Sequence, residues 1–382
     1  MIKQLTISNF KSHKRTALAL GKLTVLTGVN GCGKTSLIQG LLLLRQTYMK
    51  HRLDEGLDLN QPLCNIGIAN DALYKLASNS FMKFEIKTDD DKDFLFEYEV
   101  GDNLMDSFIK KYHYSSGAED VEQLKALSLF NNDFQYISAN RWGGKSIFPK
   151  ETYAVESQKQ ISLNEGQGEL VAHFLDKYGN DSMMDYYECE HNETDLSLLQ
   201  QTVYWEQKIS PNVTIDVELG KDSASYNIIY GFNGDNDTAK PIRRLRAENI
   251  GYGISYTLPV IVAILSAKPG ALIVMENPEA HLHPEGQAEL AKLIVKAAQL
   301  GVQIVLETHS DHIINGIQIA CKRQKCSDFA ITPDLVKLYY LKTNEMHASV
   351  ADLITIKDNG MLDFQPKGFF DRAEKDLMTL YQ

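Results

Sequence analysis

The 382-residue chain has little of what marks secreted, membrane-spanning or linker-built proteins. Its five cysteines, Cys32, Cys64, Cys189, Cys321 and Cys326, are an odd number without metal-ligand spacing, which argues against a disulfide framework and suits a reducing compartment. Cys189-Glu190-His191 is a small cluster of potential ligands, but no second pair follows at a zinc-like interval. Basic residues are outnumbered, 39 Lys and Arg against 50 Asp and Glu, and the formal charge of −11 argues against a surface coated for non-specific nucleic-acid binding. A local basic stripe stays compatible with that balance. The ten prolines are scattered and no polar low-complexity tract occurs, so no linker is expected. Long apolar runs are missing too. Ile254–Ala267 is short and interrupted by Ser255, Thr257 and Pro259, and Met1–Phe10 alternates like a strand where a secretory leader would be uniformly apolar. The expectation is a soluble cytoplasmic protein with no membrane segment.

What is present begins with G-V-N-G-C-G-K-T, Gly28–Thr35, between a strand-like Lys22–Leu26 and a helix-like segment opening near Ser36. In that context the run reads as a P-loop. Its backbone N–H groups turn inward toward triphosphate oxygens, and the following helix N-terminus adds partial positive charge. Asn30, Gly31, Cys32, Gly33, Lys34, Thr35 and Ser36 are the expected ATP-binding residues. Lys34 would reach the β- and γ-phosphates, and Thr35 would ligate Mg²⁺.

The first part of the chain reads as strands. Phe81–Lys87 and Phe94–Val100 alternate around Asp89-Asp90-Asp91, a solvated turn rather than a metal cluster. The middle predicts helices at Ala118–Leu129 and Glu165–Tyr178, then strands at Val213–Leu219 and Ser225–Phe232, broken by Asn233–Asp237. From Asn249 onward strands and helices alternate: helix Gly253–Ser266, strand Ala271–Glu276, helix Pro284–Leu300, strand Val302–Glu307, helix Asp311–Lys322, strands Leu335–Leu341 and Ser349–Ile356, and a closing helix Gly368–Tyr381. Apolar strands with crossover helices imply a parallel sheet covered on both faces, with ligands at the strands' carboxyl ends.

Those ends carry the second set of reactive groups. A-L-I-V-M-E-N-P-E-A-H-L-H-P, Ala271–Pro284, puts Glu276 at the tip of an apolar strand with Glu279 just beyond. A carboxylate there can hold a Mg²⁺ hydration shell, and a neighbouring one can orient or deprotonate an attacking water. L-E-T-H-S-D-H, Leu306–His312, puts His309 at a second tip, where it can bond the γ-phosphate or the positioned water.

With these motifs in order, the chain resembles ABC-type ATPases of the SMC, RecF and OLD group. The likeness is carried by I-K-Q-L-T-I-S-N-F-K-S, L-T-V-L-T-G-V-N-G-C-G-K-T-S, N-I-G-Y-G-I-S-Y, E-N-P-E-A-H-L-H-P and E-T-H-S-D-H, and is densest over Met1–Arg45 and Ile242–Leu380. The ending G-F-F-D-R-A-E-K-D-L is similar to that of a class of small bacterial ATPases. The resemblance implies an α/β fold: a P-loop ABC-type ATPase head with a mixed central sheet, flanking helices, an antiparallel β subdomain and a helical insertion. One head over 1–382 would divide into an N-terminal lobe (1–111), a helical and hairpin insertion (112–246) and a C-terminal lobe (247–382).

It also implies that two heads sandwich ATP, each nucleotide lying between one P-loop and the partner's signature segment. Carried over by position, Glu276 matches the Walker B acid and metal-site residue, His309 the switch histidine, and Ala280–His283 the D-loop. Gly251, Gly253 and Ser255 fall in the signature. The chain departs from the pattern at Asn277, where the family has its catalytic glutamate: either Glu279 replaces that base, or turnover is slow and the protein acts as a latch. The usual serine before the signature glycine is Gly251, and Gln61 and Gln135 compete for the Q-loop. Arg141, in Y-I-S-A-N-R, matches a family arginine that touches nucleotide or the adjoining lobe, unless it makes a merely structural salt bridge.

No sustained heptads appear, unlike SMC proteins, and the roughly seventy residues after His309 leave little room for a fused Toprim nuclease. Two functions follow as expectations. One is a nucleotide-controlled homo-oligomer governing a separately encoded effector, nuclease or toxin, in anti-phage defence. The alternative is a RecF-like DNA-binding repair factor using the basic clusters Lys11/Lys14/Arg15, Arg243/Arg244/Arg246 and Lys322/Arg323/Lys325.

Overall fold

The computed structural model describes residues 1–181, 197–232, 243–322, 329–366 and 378–380. In chain order it forms β1 (Ile2–Phe10), β2 (His13–Ala19), β3 (Leu23–Gly28), α1 (Lys34–Met49), β4 (Gly56–Asp58), α2 (Ala69–Ala72), β5 (Phe81–Thr88), β6 (Asp93–Glu99) and β7 (Phe108–Tyr114). The middle contributes α3 (Ser116–Glu119), α4 (Val121–Ala126), β8 (Phe134–Ile137), β9 (Ile147–Pro149), α5 (Val171–Tyr178), α6 (Leu198–Ile209), β10 (Val213–Leu219), β11 (Ser225–Phe232) and β12 (Arg243–Arg246). Then follow α7 (Tyr252–Leu265), β13 (Leu272–Glu276), α8 (Pro284–Gln299), β14 (Gln303–Glu307), α9 (Asp311–Lys322), β15 (Val336–Thr343) and β16 (Ser349–Ile354).

Three sheets result. The central one runs β16-β15-β3-β14-β13-β8. Its five strands from β15 to β8 are parallel, and β16 pairs antiparallel with β15. An antiparallel sheet runs β2-β1-β5-β6-β7-β4, and a smaller one runs β10-β11-β12 with β9 on β11. Side chains alternate across the central sheet. Ile273 and Met275 enter the core shared with α7, α8 and the small sheet, whereas Leu272 and Val274 enter the core shared with α1 and the large antiparallel sheet. With both faces buried, β13 and β14 have no solvent side, which is why they read as unbroken apolar runs.

The Asp89–Asp91 segment is the turn between β5 and β6, with Asp90 paired to Lys92 at 2.9 Å and Asp91 to Lys3 at 3.6 Å. Two helices of the middle region differ from expectation. The predicted Glu165–Tyr178 helix starts only at Val171, because Glu165, Gly166 and Gly168 all adopt positive φ and fold a loop against Tyr136 and Pro259. Ala118–Leu129 is broken after Glu119, where Asp120 turns extended and caps a new helix by accepting from the N–H groups of Glu122 and Gln123. The Cys189–His191 cluster, the Asn233–Asp237 break, Arg323, Lys325 and most of the closing helix lie outside the described residues. Among the described residues no helix is long and apolar enough to cross a membrane, and no group of three or more His, Cys, Asp or Glu is arranged to hold a metal on its own.

Candidate functional site

β3 delivers the P-loop to the carboxyl end of the central sheet, and the parallel register delivers two glutamates beside it. Leu26 pairs with Glu307, and Glu307 pairs with Glu276. The tip of β14 therefore stands between the P-loop strand and the tip of β13.

The loop itself is shaped for an anion. Gly31 and Gly33 take φ of 75° and 97°, and nothing lies within 4 Å of where a Gly31 side chain would project. Helix α1 starts at Lys34 with no side-chain cap and no acid in its first turn, which leaves its leading N–H groups for a ligand. Asn30, Gly31 and Thr35 are exposed, Cys32 and Ser36 buried. The Lys34 ammonium is folded inward onto the carbonyls of Gly28 (3.1 Å) and Val29 (3.0 Å) and lies 3.9 Å from Glu307 Oε1.

The acids are held differently from one another. Thr35 donates its hydroxyl to Glu307, 3.0 Å from Oε2 and 3.3 Å from Oε1. Glu276 instead accepts from the phenol of Tyr136, on β8, at 3.0 Å. Burial, reinforced by the charge of Glu307, raises the Glu276 carboxyl to about 7. Glu279 turns its Oε1 to the Thr308 hydroxyl (2.6 Å) and to the His309 N–H (3.2 Å), so it braces the turn that carries His309. Its Oε2, like Oδ1 of Asn277, is buried without a protein partner. Partial desolvation of the ring and then the nearby Lys34 charge lower the His309 imidazole, favouring its neutral form.

Around this centre the segments expected to be the signature and the D-loop, Gly251–Ser255 and Ala280–His283, pack against one another. Gly253 packs so closely that a Cβ would come within 2.6 Å of the His281 carbonyl. The His281 ring meets Tyr252 and Tyr256 edge-on, at 4.9 and 4.8 Å. Gly251 and Tyr252 are exposed at the start of α7, but Ser255 is turned inward: it accepts from the Gly144 N–H (2.8 Å) and donates to the Tyr252 carbonyl (3.1 Å). Arg141 is buried and spends all five N–H bonds on carbonyls, those of Tyr256, Ser138, Glu276, Asn277 and Pro278. It is an internal clamp with no donor left for a phosphate, and among the described residues no carboxylate is hydrogen-bonded to it. Gln135, one of the Q-loop candidates, points away from the site, donating to the Lys159 carbonyl and accepting from Ile161 N–H.

Lys34, Thr35, Glu276, Glu279 and His309 thus share one end of one sheet, as their order along the chain implied. Sequence reasoning passed over Glu307 and Tyr136. The signal for Glu307 was a repeat: Leu272–Glu276 and Gln303–Glu307 are both five-residue strands ending in glutamate. A cavity of about 290 Å³ opens at the opposite end of the sheet, among Asp133, Lys268, Ala271 and Val302, and contains none of these residues.

A P-loop, acidic tips on two neighbouring strands and a histidine turn, on a mixed sheet with an antiparallel lobe, define an ABC-type ATPase head of the SMC and OLD group. The chain belongs to the family described as "AAA domain, putative AbiEii toxin, Type IV TA system", whose model matches residues 23–315. A second model, "Protein of unknown function (DUF3696)", matches residues 331–380. The chain is similar to an OLD nuclease of Thermus scotoductus, 24% identical over 409 residues, spanning 99% of this chain and 70% of that protein. Among solved structures it is similar to an Smc head bound to the C-terminal winged-helix domain of ScpA (TM-score 0.55, 13% identity, 93% of this chain and 98% of that one). An Smc head with an extended coiled coil, bound to the C-terminal domain of ScpA from Pyrococcus furiosus, gives a TM-score of 0.54 at 12% identity, over 100% and 99%.

Proposed function

We propose that this chain is a Mg-ATP-binding and hydrolysing switch whose heads assemble around nucleotide and thereby control a separately encoded effector, a nuclease or toxin, in bacterial defence. The observation that carries this reading is the meeting of Lys34 and Thr35 with the Glu307 tip, one strand from Glu276 and one turn from His309. The toxin–antitoxin description of the family supports the effector context.

The residues fit a hard cation. Thr35, Glu307 and Glu276 offer only oxygen donors, and the orphaned oxygen of Glu279 marks a buried polar place without a protein partner. When bound, Mg²⁺ supplies charge neutralisation at the β- and γ-phosphate oxygens. The chain's own groups do the rest. Lys34 leaves the Gly28 and Val29 carbonyls for phosphate, and the P-loop N–H groups bind the remaining oxygens. The neutral His309 can accept from, or donate to, the attacking water or the γ-phosphate. Asn277 cannot take a proton, and one oxygen of Glu279 is committed to the His309 turn. Turnover is therefore slow and the assembled state long-lived. Gly251 and Tyr252 form the exposed part of the signature that a second head would meet, with Ser255 supporting them from behind.

The test is nucleotide binding and light-scattering mass for the parent, Lys34→Ala and Glu276→Gln. Lys34→Ala should lose ATP binding, and Glu276→Gln should bind ATP and accumulate as the ATP-bound assembly. Unchanged hydrolysis in Glu276→Gln, or a mass indifferent to ATP in every variant, would sink the proposal.

A further inference from the structure

We infer that Glu307, at the tip of β14, is a metal-site carboxylate of this head, holding the cation's hydration shell between Thr35 and Glu276. This deepens the ATP-switch reading and rests on it. Position comes first. β14 lies between β3 and β13, so its last residue is a strand tip with the P-loop strand on one side and the Glu276 strand on the other. Contacts come second. The hydroxyl expected to meet the cation, that of Thr35, is bonded to Glu307 and not to Glu276, and the phosphate-seeking ammonium of Lys34 lies 3.9 Å from the same carboxylate. Glu276 is held from the other side by Tyr136, and Glu279 is engaged with Thr308 and His309.

Charge comes third. Three buried glutamates, Glu276, Glu279 and Glu307, face this end of the sheet. The buried cations beside them are Lys34, which the phosphates will claim, and Arg141, whose N–H groups all serve carbonyls. A carboxylate placed between a phosphate-binding lysine and a second carboxylate would repel ATP unless a divalent cation lay between them. Without nucleotide, Glu307 occupies the Thr35 hydroxyl and neighbours the lysine. With Mg-ATP, Glu307 and the Thr35 hydroxyl would be the groups that hold the cation, whose charge would offset that of the carboxylate beside the phosphates.

The experiment titrates Mg²⁺ into the full chain with a fluorescent ATP analogue, starting from EDTA, for the parent, Glu307→Gln and Glu307→Asp. In EDTA, Glu307→Gln should bind the analogue at least as tightly as the parent, because a negative charge beside Lys34 is gone. The Mg²⁺ concentration giving half-maximal tightening should rise about tenfold or more. Glu307→Asp should fall between, and decides alone if the amide variant does not fold. A half-maximal Mg²⁺ concentration unchanged in the variants would overturn the assignment of Glu307. A parent that binds no analogue in either buffer would instead overturn the ATP reading beneath it.

Discussion

The guanidinium of Arg141 donates to the backbone carbonyl of Glu276 at 2.9 Å, so the acidic tip of β13 and helix α7 share one buried cation. Its Nε reaches the Tyr256 carbonyl of α7 at 3.0 Å, and its face lies 4.3 Å from the Tyr256 ring centroid. Burial lowers its affinity for the proton, to about 10, against the opposing charges of Tyr256, Glu279 and Glu276, and still leaves it charged at neutral pH.

Arg141→Lys should therefore not be conservative. Lysine has three donors and no planar fork, so at least two of the five carbonyls would lose the buried hydrogen bond that Arg141 gives them. Urea unfolding should show a loss of about 2–4 kcal/mol for Arg141→Lys, and no less for Arg141→Ala. Wild-type stability in Arg141→Lys would mean that the clamp is dispensable.

Why the two ends of the chain were legible and the middle was not follows from how each is buried. β13 and β14 lie between two cores, so composition alone marks them, and the chain order of their tips places Glu276 and His309. β8 sits in the same sheet but has four residues, and nothing local says that Phe134–Ile137 will pair with a strand 138 positions later. A buried strand before Arg141 could be read, but not that it would set the Tyr136 phenol on Glu276. β9, three residues long, exists because β11 receives it, and the loop before it is fixed by Ser146 bonding to Glu248. Glu307 was hidden by register, since only the pairing Leu26–Glu307–Glu276 tells which strand tip stands between the others. Ser255, though displaced from the usual serine position, was expected within the signature to face the partner's γ-phosphate. One helical turn of α7 points it inward to Gly144 instead.

Glu206 supplies a pH prediction. It is fully buried on α6, where the Thr257 hydroxyl lies 3.3 Å away, and burial raises its carboxyl well above the ordinary value, with the hydrogen bond to Thr257 opposing. A raised native value means that the fold binds this proton more tightly than the unfolded chain does. Its stabilising contribution is complete below the unfolded value near 4.5 and is lost as pH rises toward the native one. Glu206→Gln keeps the shape and removes the titration. Urea unfolding should show the variant gaining on the parent between pH 5 and pH 8, by about 1 kcal/mol or more. A constant difference across that range would refute the buried proton.

The repair-factor alternative makes an ionic prediction. Arg244 is paired with Glu218 at 2.6 Å and lies 3.8 Å from Asp216, and Lys11 donates to Gln39 at 2.9 Å. Lys14 and Arg15 are exposed on β2. With −11 overall and these basic groups partly committed, the chain with Mg-ATP should show no measurable affinity for a DNA duplex at about 150 mM salt. Tight binding that weakens steeply with added salt would restore the alternative.

The final prediction uses Lys34 in two states. With Mg-ATP at about a hundred times its dissociation constant, the parent should gain about 2.7 kcal/mol of stability, and Lys34→Ala should gain none. Without nucleotide, Lys34 still matters, because it is the ammonium beside the buried Glu307 carboxylate. Lys34→Ala should lower nucleotide-free stability at pH 8, and Glu307→Gln on the same chain should recover part of the loss. The resulting coupling should be about 1–3 kcal/mol in a double-mutant cycle. Strict additivity would mean that the 3.9 Å separation carries no energy, and that Lys34 is held by the Gly28 and Val29 carbonyls alone.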